Sequence, residues 1–185
     1  MKIFGIDPGS ERTGYGCVET DLTHHRILVC GAISAPPAAT FPDKLLHIHQ
    51  RLSTLMREHR PDCVAIENLF HAVNVKSALK LGHARGVAML AAVEAGVPVV
   101  EYTPAEIKRA VVGYGRAEKK QVQDMVRLLL GLDAVPSPHD AADALAVAIC
   151  HVHSAGGVTR RIADDGRRLP RSWRNWRPPT GSRPS

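Results

Sequence analysis

Hydrophobic residues fall in short blocks along the first third of the chain, and the blocks predict strands. Ile3-Phe4-Gly5-Ile6 is an apolar run that stops on Asp7, as a buried core strand does. Pro8-Gly9 turns the chain, and Thr13-Gly14-Tyr15-Gly16 opens a second extended run. The pattern predicts strands over 2–7, 13–20 and 26–34 with short polar connectors, hence an antiparallel meander closed by Pro36-Pro37. From Asp43 to Arg60 the apolar positions Leu45, Ile48, Leu52 and Leu55/Met56 recur at helical spacing, and Pro61 ends that helix. Val64-Ala65-Ile66 is a fourth apolar strand and again ends on an acid, Glu67. Residues 75–95 predict a long helix, apolar on most sides after Gly86 and so expected between two layers. Gly96 to Val100 starts a fifth strand. Thr103-Pro104-Ala105-Glu106 predicts an N-cap, a first-turn proline and a capping acid. After a Gly113-Tyr-Gly115 loop come helices over 118–130 and 138–153.

Three strands followed by helix–strand–helix–strand–helices predict an α/β fold with a mixed sheet. A strand reached through a helical crossover runs parallel to its neighbour. Strand four then lies beside strand one, and Asp7 and Glu67 meet at one sheet edge, where open α/β sheets bind ligands.

Composition changes the picture in two places. The net charge of +6 belongs to the end of the chain. Residues 155–185 hold eight Arg against Asp164 and Asp165, leaving Lys/Arg and Asp/Glu balanced at 16 each in residues 1–154. Any contact of that core with nucleic acid must therefore come from local patches. The four cysteines are scattered without paired spacing, which predicts buried reduced thiols in a cytoplasmic protein. No run of 18 apolar residues occurs, and Met1-Lys2 leads straight into a strand, as no signal peptide does. The expected organisation is one domain over 1–154 and an Arg/Pro-rich disordered tail over 155–185. Trp173 and Trp176, each beside an Arg, give that tail a composition suited to distorted or single-stranded DNA, although a merely solubilising end fits as well.

The last helix opens on Pro136-Ser137-Pro138-His139-Asp140-Ala-Ala-Asp143. Asp140 and Asp143 are three apart and share a helix face. Asp140 has a second reading, as the acid of a capping box begun by Ser137. Asp143, one turn in and flanked by alanines, would be a buried unpaired charge without a cationic partner. Four acids from three elements suit hard Mg²⁺ ions, which prefer oxygen ligands. Two such ions about 4 Å apart serve the attacking water and leaving alkoxide of an in-line phosphoryl displacement.

These residues carry a resemblance. Gly5-Ile-Asp7-Pro-Gly-Ser-x-x-Thr13-Gly-Tyr-Gly, Ile66-Glu67-Asn-Leu-Phe70, Ser77 to Gly86, Lys108 to Gly113, Ala117-Glu-Lys119 and Asp140-Ala-Ala-Asp143-Ala-Leu-Ala resemble the RuvC family of Holliday-junction resolvases over residues 1–154. The resemblance implies an RNase H-like fold with a five-stranded mixed sheet flanked by helices. It implies that Asp7, Glu67, Asp140 and Asp143 are the catalytic, Mg²⁺-binding acids, with Mn²⁺ as a substitute. It also implies a homodimer that nicks opposite strands of a four-way DNA junction during recombination and repair, beside the RuvA and RuvB branch-migration proteins. The Arg-rich end has no counterpart in that pattern.

Phe70, just past Glu67, suits a platform for an unpaired base, which the resemblance favours over a structural ring. Lys108, Arg109, Arg116, Lys119 and Lys120 cluster about the glycine-flanked loop. Lys119-Lys120 in a first turn opposes the helix dipole, which predicts an anionic partner, and phosphate fits. The family pattern supports Lys108 and Lys119; Arg116 and Lys120 rest on the cluster. His139 adjoins the acids, with a surface histidine as its plain reading. Gly82 and Gly86 permit close approach, either to the sheet or to a second subunit. An actin-like phosphotransferase shares the Asp-x-Gly hairpin but needs a second lobe that 185 residues do not hold. A broader RNase H-like nuclease on branched or hybrid substrates, and a non-catalytic junction-binding module, remain as alternatives.

Overall fold

In the computed structural model, residues 1–21, 23–68 and 74–164 are described, with side chains to Ala155. Phe70 and the chain beyond Asp164, including Trp173 and Trp176, lie outside the described residues. Three strands come first: β1 (Lys2–Asp7), β2 (Arg12–Thr20) and β3 (His25–Ser34). Then follow α1 (Phe41–His59), β4 (Cys63–Glu67), α2 (Val75–Glu94), β5 (Val99–Tyr102), α3 (Pro104–Val112), α4 (Lys119–Leu129) and α5 (His139–Asp164). The sheet order is β3-β2-β1-β4-β5, with β1–β2 and β2–β3 antiparallel and β1–β4 and β4–β5 parallel. This is the predicted mixed sheet.

The period of two along each strand sorts side chains into two cores. Ile3, Cys63, Ala65 and Val18 pack with α3, α4 and α5. Phe4, Ile6, Cys17, Val64 and Ile66 face α1 and α2. Continuing the alternation puts Asp7 and Glu67 on the α5 face, one pleat beyond Gly5 and Ala65.

Helix α5 comes unusually close to this face because glycine lets it. A methyl group on Gly5 would overlap the backbone oxygen of Ala144 and lie 2.8 Å from the Ala148 nitrogen. One on Gly14 would overlap the backbone oxygen of Asp140. Gly14 is the cross-strand partner of Asp7. The backbone contact that seats the first turn of α5 is therefore the one that brings Asp140 to the end of β1.

Three elements differ from the sequence pattern. The predicted helix over 138–153 spans His139–Asp164, passing through Gly156-Gly157; two interior glycines weaken a helix by about 1 kcal/mol each without ending it. Helix α2 is not sandwiched. Its buried residues are Ala84, Ala88, Ala91 and Ala92, while Leu90 and Val93 are exposed. Alanine allows close packing on α1 and leaves the bulkier apolar residues outside. Finally, α5 begins one residue later than a Ser137 cap requires, after a cis Ser137–Pro138 bond. The Thr103 capping box of α3 forms as predicted. Among the described residues, no helix is long and apolar enough to cross a membrane.

Candidate active site

Asp7 closes β1, Glu67 closes β4, and Asp140 and Asp143 lie in the first two turns of α5. Parallel pairing of β1 with β4 holds Ile6 opposite Ile66, so the next residues, Asp7 and Glu67, emerge side by side. Burial pushes the Asp7 carboxyl up to about 8, reinforced by the negative charge of Glu67, a hydrogen bond to it and the charge of Asp143. Burial likewise raises Glu67 above the usual carboxylate range. The two carboxyls are close enough to interact, and that contact favours the protonated form of Asp7.

The other two acids are held by cations. Lys119 Nζ lies 2.6 Å from Asp143 Oδ2, with the lysine side chain 66% exposed and the aspartate 17%. That contact raises the Lys119 ammonium above its ordinary value, assisted by the charges of Asp7 and Asp140. Glu67 also feels Lys119, and Lys108 beside it. Arg12, at the start of β2, places its guanidinium 3.4 Å from Asp140 Oδ2. Asp140 meets Arg12 in place of completing a cap, close enough to the site for its charge to reach Lys119. The anionic partner predicted for Lys119 is, within the chain, Asp143.

One residue of the site escapes the sequence pattern. Gln123 is only 6% exposed, and its Nε2 donates to Asp143 Oδ1 at 3.3 Å. It stands four residues after Lys119, one turn along the same face of α4. Together the two hold both oxygens of Asp143, Gln123 from within the core and Lys119 from the solvent side. The only signal in the sequence is a glutamine flanked by Val122 and Val126 on an apolar stripe.

A cleft of about 210 Å³ opens here, lined by Glu67, Pro104, Ile107, Lys108, Lys119, Val122, Asp143 and Ala146. Arg116 and Lys120 are exposed and do not line it, and His139 is exposed. A larger cleft of about 310 Å³, between α3 and the far part of α5, is bordered by none of the four acids. Among the described residues no three acidic, imidazole or thiol groups stand as a ready-made metal cage. Asp143 is instead paired with Lys119, and Asp140 with Arg12. The donor set nevertheless fits a hard divalent cation. All four candidate ligands are carboxylates, and burial together with neighbouring negative charge biases Asp7 and Glu67 toward the neutral state.

Residues 3–151 match the family model of the crossover junction endodeoxyribonuclease RuvC. A protein of that name from Koribacter versatilis is 53% identical over 164 residues, covering 88% of this chain and 99% of its own length. Another, from Chloroflexus aurantiacus, is 48% identical over 160 residues, 86% of this chain and 98% of its own. Among solved structures, Thermus thermophilus RuvC in complex with Holliday junction substrate superposes with a TM-score of 0.81 at 38% identity, over 86% of this chain and 97% of that one. The yeast mitochondrial Holliday junction resolvase Ydc2 superposes with a TM-score of 0.64 at 14% identity, over 85% of this chain and 80% of that one; that likeness concerns the fold alone, which is RNase H-like in both. The acid-ended strands, the glycine-seated helix and the near-complete sequence match place the chain in the RuvC family of crossover junction endodeoxyribonucleases.

Proposed function

We propose that the protein is a structure-selective endonuclease that resolves four-way DNA junctions by paired, symmetric, Mg²⁺-dependent nicks. The observation that carries this reading is the clustering of Asp7, Glu67 and Asp143 with Lys119 among them, in a family whose Thermus member is bound to such a junction. Asp7, Glu67, Asp140 and Asp143 would hold two Mg²⁺ ions, with Mn²⁺ as a substitute. The ions supply positive charge at the phosphodiester and acidity for the attacking water. The chain's own residues do the rest. Asp7 and Glu67, whose carboxyls burial biases toward the neutral state, would hold a cation in their ionised forms. Gln123 keeps Asp143 oriented from the buried side. Lys119, mostly exposed and attached only at its tip, exchanges Asp143 for a DNA phosphate. Lys108, Arg116 and Lys120 add phosphate contacts that set affinity and its salt dependence, and Phe70 offers a stacking ring. The tail beyond residue 154 adds non-selective affinity through its arginines.

The test uses end-labelled four-way junction, linear duplex and RNA–DNA hybrid, with and without Mg²⁺. The expected result is cleavage of the junction alone, at symmetric positions on two strands of like polarity, leaving 5′-phosphate and 3′-hydroxyl ends. Equal cleavage of the hybrid would make this a broader nuclease. Junction binding without any cut would make it a binding module.

A C2 homodimer matches the two-fold symmetry of a junction. Helix α2 supports it. Val75, Leu79, Gly82, Gly86, Leu90 and Val93 are all exposed, and they recur at the three- and four-residue spacings of one helix face. A methyl group at Gly82 or Gly86 would meet nothing within 4 Å in the single chain, so the sheet does not account for these glycines, and close approach of a partner helix would. Leu79→Glu is expected to give monomers at micromolar concentration and to replace paired cuts with single ones; a dimer that persists by light scattering would remove α2 from the interface. In the cell the reading fits a cytoplasmic protein working beside RuvA and RuvB, with Cys17, Cys30, Cys63 and Cys150 kept as free thiols.

A further inference from the structure

We infer that Tyr114, in the loop between α3 and α4, is a stacking platform for an unstacked base of the bound DNA; this rests on the nuclease reading above and adds to it a contact with a base. Helix α3 ends on Gly113, whose φ of +97° turns the chain sharply outward. Gly115 returns the chain against α3, with room for a methyl group only 3.3 Å from the Ala105 oxygen. Between them the Tyr114 side chain is carried to the surface, where the residue is 47% exposed.

The ring is exposed and yet held. Its hydroxyl donates to Gln121 Oε1 at 2.9 Å. The same oxygen accepts the backbone N–H of Glu118 at 2.9 Å. Tyr114 is thereby tied to the first turn of α4, the turn that presents Lys119 to Asp143. A side chain fixed before its partner arrives loses little further conformational freedom on binding, so more of the contact energy appears as affinity. The surrounding side chains point to the class of partner. Lys108 lines the acid cleft, and Arg116 and Lys120, two and six residues after Tyr114, are exposed. Cations interleaved with an aromatic face are the make-up of a surface that tracks a phosphate backbone and stacks its bases. Every base has a π-face, so this contact is tolerant of sequence.

The bland alternative gives Tyr114 a purely local role, in which its hydroxyl completes the cap of α4 and the ring is incidental. The two readings need different parts of the side chain. Stacking needs the ring, whereas capping needs the hydroxyl. Tyr114→Phe and Tyr114→Ala therefore separate them. Affinity for a four-way junction is measured in Ca²⁺ over a salt series, and melting temperature is measured on the free proteins. Stacking predicts that Tyr114→Ala weakens junction binding roughly 5- to 150-fold with an unchanged salt slope, because no phosphate contact is lost. It predicts that Tyr114→Phe stays within about threefold of the parent, given that the ring persists. With 2-aminopurine at the crossover, quenching should survive in the Phe variant and fall in the Ala variant. Equal junction affinity in the parent and Tyr114→Ala would overturn the inference. So would equal weakening by Phe and Ala, which would assign the effect to the cap. A parent protein that binds no branched DNA would overturn the nuclease reading and this inference together.

Discussion

Asp7→Asn is expected to abolish nicking and, in chelator at alkaline pH, to stabilise the protein. Asp7 sits at the end of a buried strand, beside Glu67 and near Asp143. Its carboxyl is pushed up to about 8, from an ordinary value of 3.8. The sign follows from proton linkage. Between those two values the folded protein holds a proton that the unfolded chain has released. The contribution of this group to stability is therefore greatest at low pH, falls as pH rises from about 4, and is gone above about 8. An amide has no charge to desolvate and can still donate to Glu67. In chelator the parent should lose thermal stability from pH 5 to pH 8, and Asp7→Asn should lose less of it. Each kcal/mol recovered is worth about 2–4 °C in a chain of this size. Mg²⁺ should raise the parent's midpoint more at pH 8 than at pH 6 and leave the variant almost unmoved. Activity should fall by roughly 10²–10³-fold or more, as when an electrostatic group is removed from a transition state. Calorimetry at three pH values, paired with junction nicking, reads both arms. A variant less stable than its parent at pH 8 in chelator would show that Asp7 is not under electrostatic strain.

Gly5→Ala is expected to damage fold and activity together. The added methyl group would overlap the Ala144 oxygen and crowd the Ala148 nitrogen. Both are backbone atoms of α5, so no rotamer change relieves the clash. The helix must lift from β1 or the sheet must bend, and overpacking of this kind costs about 1–3 kcal/mol or more. Lifting α5 also separates Asp140 and Asp143 from Asp7 and Glu67. Urea denaturation should show a lower midpoint, and the folded fraction should nick slowly, because placement errors near 1 Å can cost about 10²-fold in rate. Gly14→Ala strikes the Asp140 oxygen and should lose activity in larger proportion than stability, since its clash falls on the turn that carries an acid. Parent-like nicking by Gly5→Ala would mean that α5 can be seated in another way.

Much of this site is legible in the sequence because it obeys local periodicities. Apolar strands ending on Asp7 and Glu67, and the crossover rule that makes their strands parallel neighbours, are enough to bring two acids together. Asp143 stands out as an acid among alanines. What cannot be read depends on partners distant in sequence. Arg12 meets Asp140 across 128 positions, and neither residue carries a mark of the other. Gln123 is a lone polar residue on the apolar stripe of α4, and nothing near it in sequence names Asp143 as its partner. On α2 the apolar content is plain but its direction is not: alanines, with less to gain from burial, take the inner face because they pack closest, and the larger side chains are left outside. Gly156-Gly157 suggests an end to α5 that the helix passes through.

Helix α5 also packs against all five strands and both α3 and α4. An element so connected opens to solvent only when the whole domain does, so the amide hydrogens under Asp143 should be among the slowest in the protein to exchange. Lys119 and Arg12 are anchored through long side chains whose heads are largely in water, and they reorient in nanoseconds or less. The enzyme thus keeps its negative charges on a slow clock and its positive charges on a fast one. An incoming anionic partner can be met by quick rearrangement of cations while the four acids hold still.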